Sequence, residues 1–147
     1  MSGEIPEGAS CYEGRCHCGG IGYSYYTRSA PDKWSVRACQ CSFCRAHGAL
    51  STSDPSGFVI FHARAGAPQI RYRFGQRTAD FLICGDCGVY VAAVIDTDRG
   101  AFTVVNINAL NPRIEHLPAP QPMSYDTETP EQRIHRRMQR WTPCKRI

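Results

Sequence analysis

The 147-residue sequence lacks any run of about 18 apolar residues, so no helical membrane span can be read from it. Its start, "MSGEIPEGAS", is acidic and polar, with neither the basic stretch nor the apolar stretch of a secretory leader. No segment recurs at a solenoid period, which excludes a stacked-repeat architecture. A chain-wide basic field is missing too. The net charge of +4 is concentrated in residues 131–147, where Arg133, Arg136, Arg137, Arg140, Lys145 and Arg146 stand against Glu131, leaving the remainder nearly neutral. That distribution speaks against a nucleic-acid partner, and the basic run reads as the solvated face of a terminal helix. The expected address is cytoplasmic, where thiols stay reduced.

Cysteine is what the chain has in excess, at nine residues. In a reducing compartment, clustered cysteines read as metal ligands rather than as a disulfide framework. Seven fall into clusters: Cys16 and Cys18; Cys39, Cys41 and Cys44; Cys84 and Cys87. Cys11 and Cys144 stand alone and read as ordinary thiols. Cysteines two apart on an extended strand point to the same side, suited to gripping one ion and poorly placed to bond each other.

Around these clusters most segments read as strands. "GIGYSYYT" (20–27), "WSVRACQC" (34–41), "FVIFHARA" (58–65), "QIRYRF" (69–74), "DFLIC" (80–84), "VYVAAVID" (89–96) and "FTVVNINAL" (102–110) are rich in aromatic and β-branched residues or alternate apolar with polar ones. Turn signals such as "SDPSG", "AGAP" and "DTDRG" separate them. Five prolines between residues 112 and 130 predict an extended course, after which Ile134, Met138 and Trp141 mark one amphipathic helix behind Pro130. A short helical turn is expected near Cys44. The fold class is mainly β with one C-terminal amphipathic helix. A single domain, residues 1–147, is expected to have its core at about 11–110, with 111–147 a proline-rich extension and helix.

"CGDCG" (84–88) is the sharpest local signal, because a Cys-x-x-Cys at a glycine turn lets backbone amides point at the sulfurs of a zinc knuckle. A thioredoxin-like redox pair would need a helix starting at the motif, whereas "VYVAAVID" reads as strand. A knuckle supplies two ligands, and "GRCHCGG" (14–20) offers the other two. Cys16, Cys18, Cys84 and Cys87 then make a closed, structural zinc site; an iron centre on the same four thiolates is the alternative, disfavoured by the lack of a ferredoxin-like run. Cys39, Cys41 and Cys44 leave two possibilities. Three protein ligands with an open fourth position are the form of a catalytic zinc, whereas Cys41-x-x-Cys44-x-x-His47 could close the site as Cys₃His. Spacing alone does not separate them.

"GRCHCGG", "CQCSFCR" and "CGDCG", in that order, resemble the glutathione-dependent formaldehyde-activating enzyme family, whose domain also occurs in centromere protein V. The likeness spans roughly residues 11–110. It implies a tent-like arrangement of antiparallel sheets and two zinc ions per chain. One would be structural, on Cys16, Cys18, Cys84 and Cys87. The other would be catalytic, on Cys39, Cys41 and Cys44, with its fourth position left for water or substrate. It further implies a carbon–sulfur lyase acting on adducts of a glutathione-like thiol with formaldehyde or another small aldehyde. Two other classes compete. A non-catalytic zinc-stabilised β scaffold would bind a partner, through the basic C-terminal helix for instance, and use His47 as fourth ligand. A metal-buffering or redox-sensing protein would hold labile zinc at Cys39, Cys41 and Cys44.

Overall fold

A computed structural model of the chain describes residues 3–146. Eleven strands form: β1 (Ser10–Arg15), β2 (Ile21–Thr27), β3 (Arg37–Cys39), β4 (Ser51–Thr52), β5 (Phe58–Ala63), β6 (Gln69–Tyr72), β7 (Asp80–Cys84), β8 (Tyr90–Thr97), β9 (Gly100–Asn106), β10 (Gln121–Met123) and β11 (Thr142–Lys145). Two α-helices accompany them, α1 (Ser42–His47) and α2 (Pro130–Arg140). The class is mainly β, as the alternating segments predict. All eleven strands join one sheet. Its pairings are antiparallel except β10 with β3 and β11 with β5.

β9 is the hub. Along one edge it pairs with β8, which continues the sheet through β7 to β6; along the other it meets β11 and then β4. β8 is buried from Tyr90 to Ile95 and feeds two apolar cores. Val91 and Val94 pack with Tyr23, Tyr25, Trp34 and Val59. Tyr90, Ala93 and Ile95 pack with Phe81, Val104 and Trp141. A strand covered on both faces reads as a continuous apolar run, and "VYVAAVI" is one.

Several strands end earlier than the sequence predicts, and three short ones are new. The segment 34–41 is strand only at Arg37–Cys39, and 102–110 gives way after Asn106 to a 3₁₀ turn at Ile107–Ala109. The alternation in 69–74 predicts a half-buried strand, yet Ile70 and Tyr72 are 49% and 46% exposed. β6 pairs only with β7, and the Tyr72 ring is covered only in part, against Phe43 and Phe74. The segment expected as an extension supplies β10 and β11, and β11 lies between β5 and β9.

α2 starts where Pro130 predicts, with a reciprocal cap between Thr129 and Gln132 at its N-terminus. Its arginines correct the expectation of a solvated face: Arg137 is buried, and the side chains of Arg133 and Arg136 are only 18% and 21% exposed. Among the described residues no helix is long and apolar enough to cross a membrane.

Candidate functional site

The first cysteine cluster forms where two β-turns meet. Cys16 and Cys18 follow β1 in the turn into β2; Cys84 ends β7, and Cys87 sits in the turn into β8. The four sulfurs all lie within 4.8 Å of one another. Cys16 Sγ is 3.8 Å from Cys18 Sγ, which is 3.6 Å from Cys84 Sγ. Sulfurs at tetrahedral zinc, each about 2.3 Å from the metal, stand about 3.8 Å apart, so this donor set fits a zinc ion. Backbone amides point at the sulfurs as a knuckle requires: Ile21 N–H donates to Cys16, and the N–H groups of Asp86 and Cys87 donate to Cys84. Gly88, at φ +80°, supplies the left-handed residue that lets the turn close. Desolvation opposes ionisation of Cys87, but N–H groups of Cys18 and Val89 and the neighbouring thiols of Cys84 and Cys16 bring it down to about 6. The motif runs into strand β8, not a helix, which removes the basis of the redox reading.

The second cluster is built by a strand end and a helix start. Cys39 closes β3, Cys41 is the N-cap of α1, and Cys44 lies in its first turn. Cys41 Sγ accepts the Cys44 N–H at 3.4 Å, so the thiol that caps the helix is also one of the cluster. The three sulfurs again fall within 4.8 Å of one another. Hydrogen bonds from the Cys39 and Cys44 thiols hold Cys41 far below the ordinary thiol range, while those same contacts, with burial, push Cys44 up. Among the described residues no histidine joins either cluster. His47 is exposed, its ring packed on Phe43 at 4.5 Å between centroids and on Tyr90 at 5.8 Å.

The three thiols of this second cluster line a cavity of about 490 Å³. Phe74, Phe81 and Tyr90 form an apolar wall, and Trp141 with the inward face of α2 forms another. Arg37, Arg133, Arg136 and Arg137 also border it. Glu128 holds Arg133 at 3.3 Å and Arg136 at 2.7 Å. Arg137 donates from Nη1 to Thr78 Oγ1 at 2.9 Å and lies 4.7 Å over the Trp141 ring. Two buried polar atoms on these walls, Arg137 Nε and Gln76 Oε1, have no hydrogen-bond partner among the described residues. Arg37 sits beside the second cysteine block, but the arginines of α2 read from sequence only as a solvated run, although a signal exists. Arg137 stands three after Ile134 and four before Trp141, inside the apolar stripe of α2.

The chain is similar to known proteins in sequence and in fold. A family model described as glutathione-dependent formaldehyde-activating enzyme matches residues 11–126. No curated protein matches the chain. Among solved structures, a Rhodobacter sphaeroides protein determined as a structural-genomics target is similar. It shares 25% identity at a TM-score of 0.55, covering 76% of this chain and 99% of its own.

Proposed function

This chain belongs to the glutathione-dependent formaldehyde-activating enzyme family, and from that premise we propose that it is a zinc-dependent carbon–sulfur lyase acting on adducts of a small thiol with formaldehyde or a similar aldehyde. The observation that carries the proposal is the contrast between the two clusters. Four thiols at the meeting of two turns make a complete tetrahedral set, whereas Cys39, Cys41 and Cys44 are three thiols lining a cavity. Cys16, Cys18, Cys84 and Cys87 would hold a structural zinc, and Cys39, Cys41 and Cys44 a catalytic one. Zinc held by three thiolates is a weak Lewis acid that favours sulfur over hydroxide, and when bound it supplies a place for the thiol of the substrate.

The chain's own residues do the rest. Cys41 is fixed by the Cys44 N–H, so the cluster keeps its shape through the rigid start of α1. Phe81 and Tyr90 wall off water from the thiol side of the cavity. In the direction of synthesis the substrate sulfur adds to the aldehyde carbon. The thiol proton passes to water, the carbon–sulfur bond forms, the carbonyl π pair moves to oxygen, and that oxygen takes a proton back from water. Cleavage is the reverse, and neither direction needs an oxidant. The scaffold alternative loses support, because it calls for an outward basic helix face and a ligating His47, whereas Arg137 is buried and His47 is exposed and outside the group of three thiols.

The test is zinc counting joined to exchange spectroscopy with ¹³C-formaldehyde and a panel of thiols. Wild type and His47→Ala are expected to carry two zinc ions per chain and to speed adduct exchange. Cys44→Ser is expected to carry one, stay folded and lose the acceleration. If zinc-loaded wild type exchanges no adduct faster than buffer, the lyase assignment fails.

A further inference from the structure

Resting on the lyase assignment above, we propose that Arg137 is a specificity-determining residue that binds a carboxylate on the substrate, so that the cavity selects thiols carrying an acid group over neutral ones. α2 lies beyond residue 126, where the family match ends, so the match says nothing of this wall.

A guanidinium taken out of water costs free energy unless a counter-charge or full hydrogen bonding replaces its hydration. Arg137 is 9% exposed and has neither. One N–H meets the Thr78 hydroxyl, Nε meets nothing, and among the described residues no carboxylate pairs with it. Burial first, and then the charges of Arg136 and Arg133, lower this guanidinium to about 10.

The neighbours differ. Arg133 and Arg136 are matched by Glu128, and Arg136 also lies 3.6 Å over the Tyr125 ring. Asp126, the one carboxylate bordering the cavity among the described residues, accepts from the Ser124 hydroxyl. Arg37 donates to the hydroxyls of Ser35 and Ser53 and likewise has no acidic partner among the described residues. The cavity therefore has thiols on one side and uncompensated cationic charge on another. A molecule with a sulfur at one end and a carboxylate at the other answers both. Thr78 and Trp141 hold the guanidinium in place, so little order has to be created when the anion arrives.

Calorimetric titration of the zinc-loaded full chain with three probes tests this: 3-mercaptopropionate, its methyl ester, and butanoate. Wild type is expected to bind the acid about tenfold or more tighter than the ester, the scale of a hydrogen bond to a charged group. Arg137→Gln is expected to bring that ratio near one while the ester binds as before. Arg137→Lys, which keeps charge but not the planar fork, is expected to lower it several-fold. Zinc content and thermal midpoint are measured on each variant. Should the glutamine variant fail to fold, an undiminished ratio in the lysine variant overturns the subsite. So does an undiminished ratio in a folded Arg137→Gln, or no preference in wild type. If butanoate binds through Arg137 while the ester does not bind, the subsite stands and the thiol assignment falls. If the ester binds and the acid binds no better, the reverse holds.

Discussion

Gly14 and Tyr23 face each other across β1 and β2. A Cβ built on Gly14 would lie 2.2 Å from Tyr23 Cζ, and the ring has nowhere to go. Tyr23 is fully buried and its hydroxyl donates to the Asn106 carbonyl at 2.8 Å, which ties β2 to the far end of β9. Gly14→Ala is therefore expected to cost about 2–3 kcal/mol, as overpacking does, and to lower the thermal midpoint by several degrees. A midpoint within a degree of wild type would mean that the ring can move aside. At this scale the cysteines were legible, because metal ligation demands particular atoms at particular spacings. Gly14 was not, since its partner is defined only by strand pairing. Arg137 was hidden for another reason. An arginine on a terminal helix is usually solvated, and only its place in the stripe of Ile134 and Trp141 marked it.

Among elements, the join between β7 and the end of β11 is electrostatic. Asp80 is buried, which alone would raise its carboxyl, but Arg73 at 2.6 Å and Arg146 at 2.7 Å outweigh burial and hold it below the usual carboxylate range. A group whose folded value lies below its unfolded value contributes stability above the unfolded value, about 3.9, and loses it as pH falls through the folded one. Urea midpoints are thus expected to drop below about pH 4 in wild type, and to drop less steeply in Asp80→Asn, which starts lower at neutral pH. Parallel curves would sink the assignment. Longer elements such as β8 and α2 were legible because burial sets a period over several residues. β10 and β11 were not, being three and four residues long with Pro122 and Pro143 inside them. A proline argues against a strand between two others. β11 tolerates Pro143 because it meets β5 only through Cys144 and Lys145.

For the molecule as a whole, the four-thiol cluster staples the β1–β2 turn to the β7–β8 turn, and β11 bridges β5 to β9. Topology of this kind escapes any local reading, since it depends on which distant strand captures which. A chain ending at Glu128 keeps the whole family-matched segment yet loses α2 and β11. It is expected to show no cooperative thermal transition even with zinc present, by calorimetry; a sharp transition near that of the full chain would show β11 to be dispensable. Synthesis proceeds from the N-terminus, so the position of β11 also sets an order of events on the ribosome. All seven clustered thiols have emerged before residues 130–145, which complete the sheet and wall the cavity. A metal ion could thus reach the clustered thiols while the cavity still lacks the wall that α2 supplies. Completing the fold would then close a door behind whatever those thiols had taken up.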